Sequence, residues 1–352
     1  MKRSNIIRCL FTACGAALIL ANPAIAGTPL GGLTVAISPD GKTLVAGGDT
    51  RTLLIIDPES LEVKDRVWVE TTITDLHFSK DGATLLIGDT SDRMLLYNTN
   101  DWTKKLAFEK RGMVSMARDV DLFAGVDADY QGPSIFFCSA SDGSNKGNVK
   151  FTKDDSVKAC GINADGTRLA VLFDGKDDPA EKKVEYNDMP KDLQADARND
   201  FTQQHDGKTS RMVFIEVPSG KILADGKVYY STYGGRIFFN GDKAVVIADS
   251  GVHAKVTPDF KVETFGLQNG GYATGASPDQ KFVMVGSMST VGFAPMDTLT
   301  QQNGKLSPLP GWPEYVKGFA TNAEGPIYAA TTAYRVVRFS RNGNVEKEAP
   351  VK

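Results

Sequence analysis

Residues suited to metal or nucleophilic chemistry are scarce in this chain. It has 3 histidines and 4 cysteines among 352 residues. No Cys-x-x-Cys, His-x-x-x-His or Cys-x-x-Cys-His pattern occurs, which argues against a zinc site and against covalently attached haem. A Gly-x-Ser-x-Gly elbow and a phosphate-binding glycine loop are also missing. We therefore expect no cofactor and no bound metal, and a non-catalytic role is favoured.

The chain also lacks an excess of basic charge and, beyond its N-terminus, any long apolar run. Lys and Arg number 40 and Asp and Glu 43, for a net charge of −3. A mildly acidic protein has no electrostatic footprint for nucleic acid or for an anionic membrane. These absences predict neither a nucleic-acid partner nor a membrane span. Partners are expected to be a protein or a small ligand.

The N-terminus has the layout of a secretory signal peptide. Basic residues precede an apolar stretch from Cys9 to Leu20, and Ala24-Ile25-Ala26 is a small-x-small cleavage site. We expect a signal peptide over residues 1–26, cleavage after Ala26 and a periplasmic mature chain. Cleavage removes three bases and no acids, so 37 bases and 43 acids remain, a net charge near −6. A lipoprotein anchor at Cys14 is not favoured, because Phe11 is a poor residue three places before it.

Two cysteines, Cys138 and Cys160, remain after cleavage. An oxidising compartment permits a disulfide between them. Two buried, apolar thiols are the alternative, and the sequence does not choose between the two.

One short motif recurs along the mature chain. Ser38-Pro39-Asp40-Gly41-Lys42 returns as Ser79-Lys80-Asp81-Gly82-Ala83, as Asn163-Ala164-Asp165-Gly166-Thr167 and as Ser277-Pro278-Asp279-Gln280-Lys281. Each copy lies between two short apolar runs rich in β-branched residues, as a hairpin turn between buried strands would. A fixed period of this kind indicates one supersecondary unit used many times.

The spacing of these turns predicts the fold. We take the residue that opens each turn as an anchor: Ser38, Ser79, Ala117, Asn163, Asn240, Ser277 and Thr321. The successive intervals are 41, 38, 46, 77, 37 and 44 residues, and the long one falls to 41 when a 36-residue polar insertion, residues 175–210, is removed. Units of this length match the four-stranded blade of a β-propeller. We predict an all-β, seven-bladed propeller over residues 27–352 as a single domain, with the insertion in blade 4.

The Ser-Pro-Asp-Gly-Lys turns resemble those of YVTN-type and WD40-like seven-bladed propellers, the superfamily that includes quinoprotein amine dehydrogenase β-chain-like and lactonase-like proteins. The resemblance extends from Leu33 to about Val351 and implies the architecture. It does not imply one activity, because that superfamily holds enzymes, scaffolds and binding proteins. The Gly-His and Trp-Asp pairs of true WD40 repeats are absent.

Function is expected on the face that carries the turns between strands two and three and the blade-to-blade loops, here called the upper face. The insertion belongs to this face, and Leu193, Ala197 and Phe201 form a helical stripe in it that suits a lid or a partner contact. The loops of this face are aromatic, and Tyr and Trp are enriched in binding hot spots. We predict contacts from Trp68, Tyr230, Tyr233, Trp312, Tyr315, Leu193 and Phe201.

A rival hypothesis is a propeller enzyme of the lactonase-like or amine-dehydrogenase-like type. His77, on an inner strand, would then act as a base at the channel mouth, with Asp89 or Asp249 holding a cation. The polar candidates at the mouth are His77, Asp49, Asp89, Asp127 and Asp249. Each of these aspartates follows a second strand, where local turn capping is the simpler interpretation.

Overall fold

The computed structural model describes residues 31–351 except 92, 110–111, 128–130, 178–207, 229, 231, 233, 250–252, 268–272, 308 and 310–313. The predicted signal peptide and most of the insertion lie outside these residues. The elements of regular secondary structure in these residues are all β-strands. No helix in the described part of the chain is long and apolar enough to cross a membrane.

The strands form seven antiparallel blades, as the repeat predicts, and consecutive strands pair within each blade. Blade 1 contains β1 (Leu33–Ile37), β2 (Leu44–Gly48), β3 (Thr52–Ile56) and β4 (Val63–Trp68). Blade 2 contains β5 (Ile73–Phe78), β6 (Thr84–Asp89), β7 (Met94–Asn98) and β8 (Lys104–Phe108). Blade 3 contains β9 (Gly112–Ala117), β10 (Leu122–Asp127), β11 (Ser134–Cys138) and β12 (Asn145–Lys150).

Blade 4 contains β13 (Val157–Ile162), β14 (Arg168–Phe173), the short β15 (Lys176–Asp177), β16 (Lys208–Glu216) and β17 (Ile222–Val228). Blade 5 contains β18 (Gly235–Asn240), β19 (Lys243–Ala248), β20 (His253–Val256) and β21 (Val262–Phe265). Blade 6 contains β22 (Ala273–Ala276), β23 (Phe282–Gly286), β24 (Thr290–Pro295) and β25 (Gln302–Lys305). Blade 7 contains β26 (Val316–Thr321), β27 (Ile327–Thr331), β28 (Arg335–Phe339) and β29 (Val345–Pro350).

The recurring motif forms the turn between the first two strands of a blade. The Ser38 hydroxyl donates to Asp40 Oδ1 at 2.6 Å, and the Thr43 N–H donates back to Ser38 Oγ at 2.9 Å. Gly41 has a φ of 73°, a left-handed conformation that costs little without a Cβ. The motif is repeated because each blade needs this turn, and its role is structural.

The core lies between blades rather than within them. Seven clusters of buried apolar side chains are found in the described part of the chain, one at each joint between neighbouring blades. Each blade is therefore covered by a neighbouring blade on both faces, which explains the near-continuous apolar runs of its middle strands. Cys138 belongs to the joint of blades 2 and 3, and Cys160 to the joint of blades 3 and 4.

Both cysteine side chains are buried and are not joined by a disulfide, which is the arrangement of the second alternative. The two side chains pack in different interblade cores, which keeps them apart. Burial raises the pKa of Cys160 to about 12, and this thiol is accordingly unreactive.

The ring closes without a strand shared between its ends. Blade 1 is built only from residues 33–68 and blade 7 only from residues 316–350. Their joint is a cluster of buried apolar side chains that includes Leu33 and Tyr328. Two polar contacts flank it, because the Tyr328 hydroxyl donates to the Pro58 carbonyl at 3.3 Å and Arg338 pairs with Glu59 at 2.6 Å. Side-chain packing therefore carries the closure.

Candidate functional site

The first strand of every blade lines a central channel. The direction of these strands identifies the two ends of the channel. These inner strands begin at the upper face and end at the turns that carry the recurring motif, which therefore lie on the lower face. The blade-to-blade loops and the turns between second and third strands share the upper face, as the sequence predicts. The insertion leaves blade 4 on that face, where β15 pairs with the first residues of β16.

Trp68 is the most exposed large apolar side chain in the described part of the chain, with 61% of its surface accessible. It ends β4 at the upper, outer corner of blade 1, opposite Thr52 in the ladder. The next residue is fixed, because the Val69 N–H donates to the Arg51 carbonyl at 3.0 Å. The indole is thus held on a rigid backbone and exposed to solvent, the arrangement of a binding anchor with little ordering cost.

Two more exposed apolar side chains belong to upper loops. Met288, in the turn after β23, is 52% exposed, and Leu309, between blades 6 and 7, is 39% exposed. Tyr315 is half-buried and tied to both neighbouring loops. Its N–H donates to Thr332 Oγ1 at 2.9 Å, and its backbone bridges to that of Met288. These contacts fix the backbone of Tyr315, and its predicted partner contact stays a prediction.

A buried ion pair anchors the same loop to blade 7. The Arg335 guanidinium donates to Glu314 Oε1 at 2.7 Å, to Glu348 at 2.8 Å and to the Ser307 carbonyl at 2.6 Å. Arg335 and Glu314 are 6% and 2% exposed. Both ends of the loop are consequently fixed. Trp312, the residue favoured by the sequence, lies between them and outside the described residues.

Tyr230 requires a correction. Its side chain is 0% exposed and packs in the core between blades 4 and 5, so it is not available to a partner. Burial raises the pKa of its hydroxyl well above the ordinary value. A large aromatic side chain in a loop can either contact a partner or pack between blades, and the side chain of Tyr230 packs between blades. Tyr233, Leu193 and Phe201 lie outside the described residues, so their predicted contacts stay predictions.

The upper carboxylates do not converge on one point. Asp49 accepts the Tyr334 hydroxyl at 2.7 Å, which links blades 1 and 7. Asp89 is buried and caps its own turn, accepting the Ser91 N–H at 2.7 Å and pairing with Arg93 at 2.7 Å. Asp127 is half-buried, and burial raises the pKa of Asp249. The described residues contain no group of three side chains placed to hold a metal ion.

A cavity of about 180 Å³ occupies the channel. Its lining includes the inner-strand residues Asp75, His77 and Arg236 and the lower-turn residues Pro39 and Pro278, but no residue of the described upper loops. The cavity therefore opens on the lower face, opposite the face that the sequence favours. His77 lies inside the channel rather than at its upper mouth.

A salt bridge crosses the channel above His77. Arg236 of blade 5 donates to Asp75 of blade 2 at 2.6 Å, joining strands that are 161 residues apart. Burial lowers the pKa of His77 to about 3; the Asp75 charge opposes this, and the Arg118 and Arg236 charges add to it. A histidine with so low a pKa is neutral at pH 7 and a weak base. Sequence reasoning missed Asp75 and Arg236, although a charged residue on an inner strand was the available signal.

Gln280 ties three blades together at the lower mouth. It stands where other copies of the motif have glycine and keeps the left-handed backbone, with a φ of 56°. Its side-chain amide donates to the Ile162 carbonyl at 2.7 Å, and its carbonyl oxygen accepts the Phe239 N–H at 2.7 Å. Two hydrogen bonds to other blades thus offset an unfavourable backbone conformation.

Comparison with known proteins supports the fold alone. No protein-family model and no curated protein matches the sequence. Among solved structures 1678 chains match, so the fold is too widespread to indicate one activity. Hydrazine synthase of Kuenenia stuttgartiensis is one of them, with a TM-score of 0.61 and 13% identity over 93% of this chain and 99% of that one. The chain is thus similar to a propeller-containing structure, and its function has to be argued from its own residues.

Proposed function

We propose that this protein is an exported, non-catalytic β-propeller that binds a protein partner on its upper face. The observation that carries the proposal is Trp68, a large aromatic side chain 61% exposed on a rigid strand end. Met288 and Leu309 add exposed apolar surface on other upper loops. A fixed scaffold that presents such anchors binds with little loss of conformational entropy.

The chemistry of the channel supports binding over catalysis on this face. His77, the base in the rival hypothesis, lies below the Asp75–Arg236 salt bridge and has a pKa near 3. Of the carboxylates offered as its helpers, Asp89 is engaged in its own turn and in an ion pair with Arg93. No base and carboxylate of the described residues therefore meet at the upper mouth in the way a hydrolytic site requires.

Replacing Trp68 by alanine is expected to weaken binding of the partner by at least about 2 kcal/mol, or about thirtyfold in Kd. The loss follows from removing the largest exposed apolar side chain of the predicted interface. Titration calorimetry with the mature protein and its captured partner measures the effect. Leu106→Ala is the matched control, because Leu106 is also exposed, at 39%, but lies in the middle of β8 and away from the upper loops. Equal affinities for both variants and the parent would contradict the proposal.

Export rests on the N-terminal sequence, and processing tests it separately. We expect the protein recovered from the periplasmic fraction to begin at Gly27, which N-terminal sequencing reads directly. Ala26→Gln should block processing and leave the longer form in the membrane fraction, because the cleavage site needs a small residue. An unprocessed chain in the cytoplasm of the native cell would refute the export part of the proposal.

A further inference from the structure

Positive charge is concentrated in the central cavity. Its lining contains Lys80, Arg118, Arg236 and Lys317 but a single carboxylate, Asp75. That carboxylate is engaged with Arg236. Lys80, at the lower mouth, donates to the Asp119 carbonyl at 2.6 Å, and a carbonyl does not neutralise its charge. The part of the cavity below the Asp75–Arg236 pair therefore carries uncompensated positive charge.

Arg118 has no carboxylate partner among the described residues. Its one hydrogen bond there is long, from Nη1 to the Phe78 carbonyl at 3.3 Å. Burial lowers its pKa to about 10, and no acidic group opposes the effect. A guanidinium has several N–H donors arranged as a planar fork, which matches carboxylate and phosphate oxygens. A partly buried guanidinium without a counter-ion is costly, unless a ligand supplies the missing charge.

A second group in the same cavity lacks a partner. His77 precedes Phe78, whose carbonyl accepts from Arg118, and its side chain lines the cavity. The Nε2 atom of His77 is buried and has no hydrogen-bond partner in the described structure. A buried polar atom of this kind calls for a ligand, an ion or a water. In the tautomer protonated at Nε2, neutral His77 has an N–H donor that no described residue accepts, and His77 and Arg118 line the same cavity.

The remaining walls strengthen electrostatic attraction inside the cavity. They include apolar side chains such as Leu76, Val114, Phe238 and Phe319, which lower the local dielectric constant. The volume of about 180 Å³ has room for several waters or for a small organic anion. Access is from the lower mouth, where Lys80 attracts negative charge.

We propose that the lower part of the channel binds a small oxyanion, a carboxylate or a phosphate, held by the Arg118 guanidinium and by His77 Nε2–H. The site is independent of the upper-face partner, because it opens on the opposite side of the ring. The planar set of N–H donors on Arg118 matches the oxygens of a carboxylate and of a phosphate. The experiment below distinguishes these two anions.

The test is titration calorimetry of the mature protein with inorganic phosphate and, separately, with succinate, in dilute Tris buffer. Sodium chloride at matched ionic strength corrects for screening. We expect one of the two anions to bind, and Arg118→Gln to weaken that binding by about tenfold or more, since a charge-assisted contact is lost. Arg66→Gln, which removes one positive charge on the exposed face of β4, is the charge-matched control and should bind as the parent does.

A spectroscopic readout does not depend on comparing the affinities of variants. The chain has 3 histidines, so a long-range proton–nitrogen spectrum of the imidazoles is simple to assign with a His77→Gln protein. The bound anion should move the His77 Nε2 signal and leave that of His253 in place. Absence of binding by both anions, equal affinity of the Arg118→Gln protein, or an unmoved His77 signal at saturation would each overturn the proposal. Trp68→Ala should leave anion binding unchanged, so failure of the upper-face proposal would not be mistaken for failure of this one.

Discussion

Replacing Tyr328 by alanine is expected to lower the free energy of unfolding by about 3–5 kcal/mol, the usual cost of deleting a large buried aromatic ring. Tyr328 is 1% exposed and packs in the joint between blades 7 and 1. No strand is shared across that joint, so this cluster of side chains and a few polar contacts close the ring. A cavity there weakens the one joint whose two sides come from opposite ends of the chain.

Urea unfolding followed by circular dichroism measures the effect. Tyr328→Phe is the matched control, because it keeps the ring and removes only the 3.3 Å hydrogen bond from the hydroxyl to the Pro58 carbonyl. We expect that variant to lose about 1 kcal/mol or less. If Tyr328→Ala proves no less stable than Tyr328→Phe, packing at the joint does not carry the closure.

Stability is expected to fall steeply between about pH 6.5 and about pH 4, before the carboxylates titrate. His253 is 1% exposed, and its Nδ1 accepts the Ala248 N–H at 3.1 Å. An Nδ1 that accepts a hydrogen bond carries no proton, so His253 is neutral in the folded state. Burial lowers its pKa to about 4, with the Leu267 carbonyl opposing the shift.

The sign of the effect follows from linkage. In the unfolded chain His253 binds its proton near pH 6.5, whereas in the folded protein it does so near pH 4. The contribution of His253 to the free energy of unfolding is therefore fully present above pH 6.5. It is lost as the pH falls towards 4, which lowers the free energy of unfolding by about 3 kcal/mol. Aspartates with lowered pKa values, such as Asp40 and Asp81, lose their contributions only below their ordinary value of 3.8. The pH range over which His253 acts therefore lies above the pH range over which these aspartates act.

His253→Asn isolates this contribution. The asparagine side-chain oxygen can accept the Ala248 N–H in place of Nδ1 but takes up no proton. The variant should lose less stability than the parent between pH 6.5 and 4 when urea unfolding is measured at several pH values. His77, whose pKa is lowered to about 3, titrates in both proteins, and so does Asp249, whose raised pKa acts in the opposite direction. Parallel pH profiles for parent and variant would show that His253 does not take up a proton on unfolding.

The repeat predicts the architecture well because the fold is local in sequence. Each blade pairs strands that follow one another, so a turn motif and a spacing suffice to count blades. In blade 1 the apolar runs predict strands over Leu33–Ile37, Thr43–Gly47, Leu53–Ile56 and Val63–Val69, and the observed strands agree with them to within a residue at their ends. Even Gln280, an exception to the glycine of the motif, keeps its place at a turn with positive φ.

The channel could not be predicted in the same way, because it is made by contacts between distant blades. Asp75 and Arg236 face each other only once the ring has closed, and no local pattern relates them. The fate of a loop aromatic is equally non-local, since Trp68 is exposed and Tyr230 is buried although both precede an inner strand. The placement of Cys138 and Cys160 in separate joints likewise depends on which face of each strand meets which blade.

Site-specific photo-cross-linking in the native cell tests the upper-face proposal most directly. One protein carries a photoreactive amino acid in place of Trp68, and a second carries it in place of Val120, which is 36% exposed in a turn of the lower face. We predict a discrete protein adduct from position 68 and none from position 120. An adduct from position 120 alone, or the same adducts from both positions, would contradict the assignment of partner binding to the upper face.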